Sequence, residues 1–152
     1  MKNYLVTIAL VGVLAVSTGI YAQQPTEIGP KSGHLTVRVV GFKHDRGQFI
    51  INIFSAELGF PSDRQKAIRS IAGEISNQLA VLEFSDLPPD TYAISALHDE
   101  NGNGKVDTNF IGIPKEPSGT SRDAKGHFGP PKFRDATFAL GNEDMTVIIS
   151  LH

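Results

Sequence analysis

Cysteine is absent from all 152 residues. That excludes disulfides and also a lipid-modified cysteine behind a signal sequence, so the fold must hold without covalent staples. An excess of charge of one sign is missing too. Fourteen Lys and Arg face sixteen Asp and Glu, a net charge of −2 with His neutral, and the two signs are interspersed. No basic patch is left to track a nucleic acid backbone. Long apolar runs are scarce. The one candidate, Tyr4 to Val16, is broken only by Thr7 and Gly12 and falls short of the roughly 20 residues that span a bilayer. The chain has no Gly-x-Ser-x-Gly elbow for a hydrolytic serine. Neither Asn77-Gln78-Leu79 nor Asn101-Gly102-Asn103 carries the third-place Ser or Thr of a glycosylation acceptor.

The apolar run has a different use. Lys2 precedes it, and Ser17-Thr18-Gly19 leads to Ala22, a small residue suited to signal-peptidase cleavage before Gln23. Ile20, third before the cut, is bulkier than usual there. We expect residues 1–22 to be a cleaved signal peptide and the protein to be secreted or periplasmic; a retained anchor is the rival reading. Removing Lys2 leaves 13 basic and 16 acidic side chains, a net charge of −3. About 130 residues remain, enough for one domain with its own core.

Residues 23–33 are rich in Pro, Gly and polar side chains and are expected to form a flexible leader. The single domain then runs from 34 to 152. From His34 to Phe42 the chain alternates, with Leu35, Val37 and Val39 on one face, which predicts a strand. Lys43 to Gly47 is a turn and Gln48 to Ser55 a second strand, so the pair is expected to form a hairpin. Phe60 to Ile71 changes period. Ser62 with Gln65 three residues later resembles a helix cap, and Ala67, Ile68 and Ile71 fit a short surface helix or turn. Ile75 to Phe84 and Thr91 to His98 are predicted strands, the latter with Tyr92, Ile94, Ala96 and His98 on one face. Phe138 to Leu140 and Met145 to Leu151 complete the set. This pattern predicts an all-β, Greek-key β-sandwich with at most one short helix.

Between these strands, Asp99 to Asp107 reads Asp-Glu-Asn-Gly-Asn-Gly-Lys-Val-Asp. Oxygen-bearing side chains stand at the first, third, fifth and ninth places, with Gly104 at the sixth. That matches the opening of an EF-hand-type calcium loop, in which alternate residues turn oxygens toward a hard cation and Gly permits the sharp bend. The expected ligands are Asp99, Asn101, Asn103, Asp107 and the backbone carbonyl of Lys105. The twelfth place is Phe110 where a bidentate Glu normally closes the site. Glu116 is the expected substitute, since Gly112 and Pro114 would let the chain fold back; a solvated surface charge is the alternative. With two neutral Asn among the ligands, calcium affinity is expected near 10⁻⁴–10⁻³ M. The competing reading is a plain polar turn, because Asn-Gly pairs tolerate positive φ without any ion.

The loop opens a stretch to Asp135 without periodicity, punctuated by Gly and Pro. A connection that long inside a compact domain is functional or disordered in most proteins. Phe110, Ile111, Ile113, Phe128 and Phe133 argue for an ordered, packed excursion.

Four segments resemble known families. Phe84-Ser85-Asp86-Leu87-Pro88-Pro89-Asp90-Thr91-Tyr92 resembles a segment of transthyretin-like and collagen-adhesin-B-like sandwiches, with Asp90 where Gly is usual. The segment from His98 to Asp107, Gly112 to Glu116, and Phe128 to Ala136 resemble a bacterial secreted family, domain-of-unknown-function 2141. The resemblance covers nearly all of 34–152. It implies a secreted or periplasmic β-sandwich, with the Tyr packed at the base of a core strand, and implies no activity.

These features lead to an exported, non-enzymatic domain stabilised by calcium, whose long loop meets a protein or glycan partner in the cell envelope through Phe110, Phe128, Phe133 or Arg122. Two alternatives differ in class. One is an envelope- or glycan-directed enzyme using a loop metal or a Ser118, Thr120 or Ser121 pair with His127; the other is a purely structural domain. His98, Asp99 and His127 could make a zinc or copper site, although no second His lies at ligand spacing; a His hydrogen-bonded at a strand end is the simpler reading.

Overall fold

The computed structural model describes residues 33–110, 114–126 and 129–152. The expected signal peptide and nearly all of the expected leader lie outside them. Among the described residues, eight strands form two sheets. They are β1 (Leu35–Val40), β2 (Gln48–Phe54), β3 (Arg69–Gly73), β4 (Ala80–Phe84), β5 (Asp90–Asp99), β6 (Ser118–Thr120), β7 (Phe138–Leu140) and β8 (Met145–Ser150), with one short helix, α1 (Phe133–Ala136). One sheet has the order β4-β1-β8; the other runs β3-β2-β5-β6, with β7 also paired to β5. The protein is an all-β sandwich, and its non-consecutive neighbours are the crossovers that Greek-key connections produce.

The alternation in β1 places Leu35, Val37 and Val39 inward, all fully buried. They pack face to face with Phe49, Ile51 and Ile53 of β2. The expected β1–β2 hairpin does not form. β1 pairs antiparallel with β4 and parallel with β8, whereas β2 pairs with β3 and β5. The physical reason lies in burial. All of β2 after Gln48 is buried, so the strand needs neighbours on both edges and cover on both faces. The Lys43–Gly47 turn therefore crosses from one layer to the other.

The segment expected to form a short surface helix or turn divides in two. Only Arg64–Lys66 forms a single 3₁₀ turn, and Asp63 rather than Ser62 caps it, its Oδ1 accepting the Gln65 N–H at 3.0 Å. Arg69–Gly73 is the strand β3, with Ile71 opposite Ile51. The apolar spacing fitted a helix, but the open edge of β2 supplied hydrogen-bonding partners that an exposed helix turn lacks. Ile75 to Phe84 is likewise not one strand. Asn77 and Gln78 adopt φ of 53° and 59°, and the Asp45 carboxylate accepts both of their N–H groups at 2.9 and 2.7 Å. Asn accepts this left-handed conformation readily, Gln does not, and the contact from the distant β1–β2 turn holds the pair in it.

β5 is the spine of the larger sheet, and Tyr92 to Asp99 are all buried. Tyr92 packs at its base as the resemblance implied, and its Oη donates to the Pro88 carbonyl at 2.7 Å. Burial pushes the Tyr92 phenol above its ordinary value; the Asp90 charge adds to this and Arg69 opposes it. A raised value in the folded state means that this contribution is complete below about pH 10 and is lost as pH rises through the folded value. Tyr92→Phe is expected to cost about 1 kcal/mol at neutral pH and to flatten the alkaline loss of stability, as read by denaturant titration between pH 7 and 11.

Candidate metal centre

β5 ends in His98 and Asp99, whose side chains project to opposite faces because successive strand residues alternate. Both residues are fully buried. The Asp99 carboxylate turns into the loop that follows. Its Oδ2 accepts the Gly104 N–H and the Gln48 amide, each at 2.7 Å, and its Oδ1 accepts the Asn103 N–H at 3.1 Å. Burial by itself would raise the Asp99 carboxyl. The hydrogen bonds from Gln48 and from the N–H groups of Gly104, Asn103 and Gly102 together outweigh it and hold the group below the usual carboxylate value.

The next two oxygens repeat the device. Asn101 Oδ1 accepts the Asn103 N–H at 3.0 Å, and Asn103 Oδ1 accepts the Lys105 N–H at 2.8 Å. Each bond bends the chain back on the side chain two residues earlier and leaves that oxygen a second lone pair. Gly104 sits at φ 75°, the conformation for which Gly was expected at the sixth place. Asp107 closes the turn. Its two carboxylate oxygens meet the side-chain amides of Asn101 at 2.6 Å and Asn103 at 3.1 Å.

Glu116 returns to this loop. It is 7% exposed, with Oε1 accepting the Glu100 N–H at 2.9 Å and Oε2 the Asp107 N–H at 3.3 Å. A bridge between Thr108 and Pro114 and a bond from Lys115 N–H to the Asp107 carbonyl at 2.8 Å bring it there. The side chain is therefore not a solvated surface charge. It clamps the second and ninth positions of the loop through backbone hydrogen bonds. Lys105 is exposed at the loop surface, and Phe110 at the twelfth place is 98% exposed.

Two supports of this loop had no signal in the sequence. Gln48 stands opposite Asp99 in the β2–β5 register, and the Arg64 guanidinium donates to the Gly104 carbonyl at 3.0 Å. Among the described residues, no group of three or more His, Cys, Asp or Glu side chains is placed to hold a metal ion. The candidate set is instead a mixture of carboxylate and amide oxygens, the donor chemistry that suits a hard cation such as calcium.

This build, a ligand-spaced loop at the end of the central strand of a sandwich, coincides with a family match over residues 37–148. The chain belongs to the DUF2141 family. Its members are described as uncharacterised proteins conserved in bacteria. No curated protein and no solved structure matches the chain. In this DUF2141 chain, no helix among the described residues is long and apolar enough to cross a membrane.

The remaining candidates are dispersed. His98 does not join Asp99, whose carboxylate faces the other way, and His127 and Phe128 lie outside the described residues. His98 Nε2 bonds to the Arg46 carbonyl at 2.8 Å, the strand-end hydrogen bond of the simpler reading. Ser121 Oγ accepts the Ile94 N–H at 2.9 Å and donates to the Ala136 carbonyl at 2.6 Å. Thr120 Oγ1 donates to the Ala124 carbonyl at 2.9 Å. Both hydroxyls are held by backbone. Phe133 is half-buried and packs edge-on against Phe60 with ring centroids 5.7 Å apart. Arg122 is exposed and reaches the Thr137 carbonyl at 3.3 Å.

Proposed function

We propose that this DUF2141 chain is an exported, non-enzymatic β-sandwich domain whose Asp99–Asp107 loop takes calcium, and that the ion stiffens the excursion presenting Phe110 to an envelope protein or glycan. The observation that carries this is the run of side-chain oxygens from Asp99, Asn101 and Asn103, each already holding a later N–H, with Asp107 drawn to the same turn. Asp99, Asn101, Asn103, Asp107 and the Lys105 carbonyl would hold the ion, and Glu116 would brace or complete the set. Calcium supplies charge neutralisation among three carboxylates; the loop's own hydrogen bonds keep the oxygens in place.

The test is a thermal melt of the full chain with excess calcium, with chelator and with magnesium. For a site of 10⁻⁴–10⁻³ M affinity, 10 mM calcium is expected to add about 1.4–2.7 kcal/mol, several degrees in Tm. Asp107→Ala should abolish that gain, while Phe110→Ala should leave it intact. A Tm that does not respond to calcium would overturn the reading.

A further inference from the structure

Asn52 in β2 stands directly opposite Ser70 in β3 and Ser95 in β5, so three polar side chains form one row across the outer face of the larger sheet. Asn52 and Ser95 are buried there, on the face that also holds Ile50, Phe54, Ala93 and Leu97. Polar groups withdrawn from water need partners, and a single chain of hydrogen bonds supplies them. Arg64 Nε donates to Ser70 Oγ at 3.0 Å, and Ser70 Oγ donates to Asn52 Oδ1 at 2.7 Å. Asn52 Nδ2 then donates to Ser95 Oγ at 3.4 Å, and Ser95 Oγ to the Pro61 carbonyl at 2.7 Å. The ends fix its direction, because a guanidinium only donates and a carbonyl only accepts. Both ends belong to the crossover between β2 and β3, residues 55–68, which lies over this face with Phe60 packed on Phe54.

Arg64 is half-buried, and its fork is used twice. While Nε holds Ser70, a terminal nitrogen donates to the Gly104 carbonyl at 3.0 Å, in the loop after β5. The same peptide is held from its other side, where the Lys105 N–H meets Asn103 Oδ1 at 2.8 Å. A peptide is planar, with its carbonyl and N–H pointing opposite ways, so two bonds fix its rotation. Gly104 has φ 75° and no side chain, and without such bonds its backbone is free to leave that conformation. The orientation of this peptide sets that of the next carbonyl, Lys105's, which is the backbone ligand assigned to the ion. Lysine is no equivalent at position 64: its ammonium is a single point, whereas the guanidinium fork spans both acceptors.

We propose that Arg64 is the positioning residue of the Asp99–Asp107 loop, and that through it a cation in the loop orders the β2–β3 crossover. Its charge by itself disfavours a cation nearby, so its contribution is the geometry it imposes on the peptide after Gly104. Coupling between sites is reciprocal: an ion that fixes this peptide also fixes Arg64, and with it the Ser70–Asn52–Ser95 chain and Pro61. The crossover carries Leu58, which is 70% exposed, so the ion steadies a second exposed apolar side chain besides Phe110. The coupling rests on the calcium reading; the hold of Arg64 on the loop backbone needs no ion.

Amide exchange of the full chain in chelator, followed by nuclear magnetic resonance, reads that hold alone. The Lys105 N–H is expected to exchange about tenfold faster in Arg64→Lys and in Arg64→Gln. Ser121→Ala, a change in a buried site away from this loop, should leave its rate unaltered. An unchanged Lys105 rate in both Arg64 variants would overturn the proposal. Calorimetric titration with calcium reads the site. Arg64→Lys keeps the charge and loses the fork, and is expected to bind calcium about fivefold more weakly. Arg64→Gln also removes the repelling charge and should recover part of that loss. Calcium should slow exchange of the crossover amides, residues 62–67, in the wild type and not in calcium-saturated Arg64→Lys. Wild-type affinity in Arg64→Lys, or equal slowing in both chains, overturns the coupling. If the wild-type chain binds no calcium, the calcium reading and the coupling fall together, and the rates in chelator still decide whether Arg64 holds the loop.

Discussion

Asp99→Ala is expected to lower stability by about 3 kcal/mol and Tm by roughly 10 °C, and to remove any response to calcium. The carboxylate is fully buried and accepts hydrogen bonds from the Gln48 amide and from the N–H groups of Gly104 and Asn103. Hydrogen bonds to a charged acceptor are worth about 1.5–3 kcal/mol each, but the loop is partly solvated and Asn103 N–H keeps its bond to Asn101, so the sum is discounted. Asp99→Asn retains one oxygen and should lose about half as much. The same residue sets an acid limit. Because its folded-state value is held below the ordinary one, its contribution is present above about pH 4 and is lost as pH falls through the depressed value. Asp99→Asn should flatten that acid limb in denaturant titrations between pH 2 and 6. A Tm unchanged in Asp99→Ala would mean that the loop does not anchor the end of β5.

Ser121→Ala is expected to cost about 2–4 kcal/mol, although one oxygen atom is all that is removed. Ser121 is fully buried, and its hydroxyl is the partner of both the Ile94 N–H in β5 and the Ala136 carbonyl at the end of α1. Alanine leaves those two groups in a site that water does not reach, and each unsatisfied group carries a desolvation cost of about 1–3 kcal/mol. Equilibrium urea unfolding reads the loss directly, with the slope of the transition unchanged. A hydrolytic serine would behave differently: the substitution would leave the midpoint in place. A midpoint shift below about 0.5 kcal/mol would therefore remove the structural role assigned to Ser121.

Much of the fold was legible because strand alternation is local. Leu35, Val37 and Val39 in β1 are buried as their spacing predicts, and so are Tyr92, Ile94, Ala96 and His98 in β5. The misread segments share one cause. Ala67, Ile68 and Ile71 fit a helical period, and the free edge of β2 decided for a strand. The break at Asn77-Gln78 depends on the Asp45 carboxylate, from another part of the chain. The β1–β2 hairpin failed because the buried faces of β2 required two sheet neighbours, a demand that adjacency in sequence does not express.

The candidate site divides in the same way. Asp99, Asn101, Asn103, Gly104 and Asp107 were legible because side-chain oxygens two residues apart bend their own backbone, a short-range effect that spacing alone specifies. Glu116 was anticipated from the chain's freedom to fold back, and its burial between two N–H groups came from tertiary packing. Gln48 against Asp99 and Arg64 against Gly104 have no sequence signal, since one strand register and one crossover bring them together. By itself, then, the sequence determined an all-β chain with an oxygen-lined loop, because periodicity and turn chemistry act over a few residues. Only the tertiary structure decided which sheet each strand entered and which side chains surround the end of β5, because those contacts depend on burying faces that lie far apart along the chain.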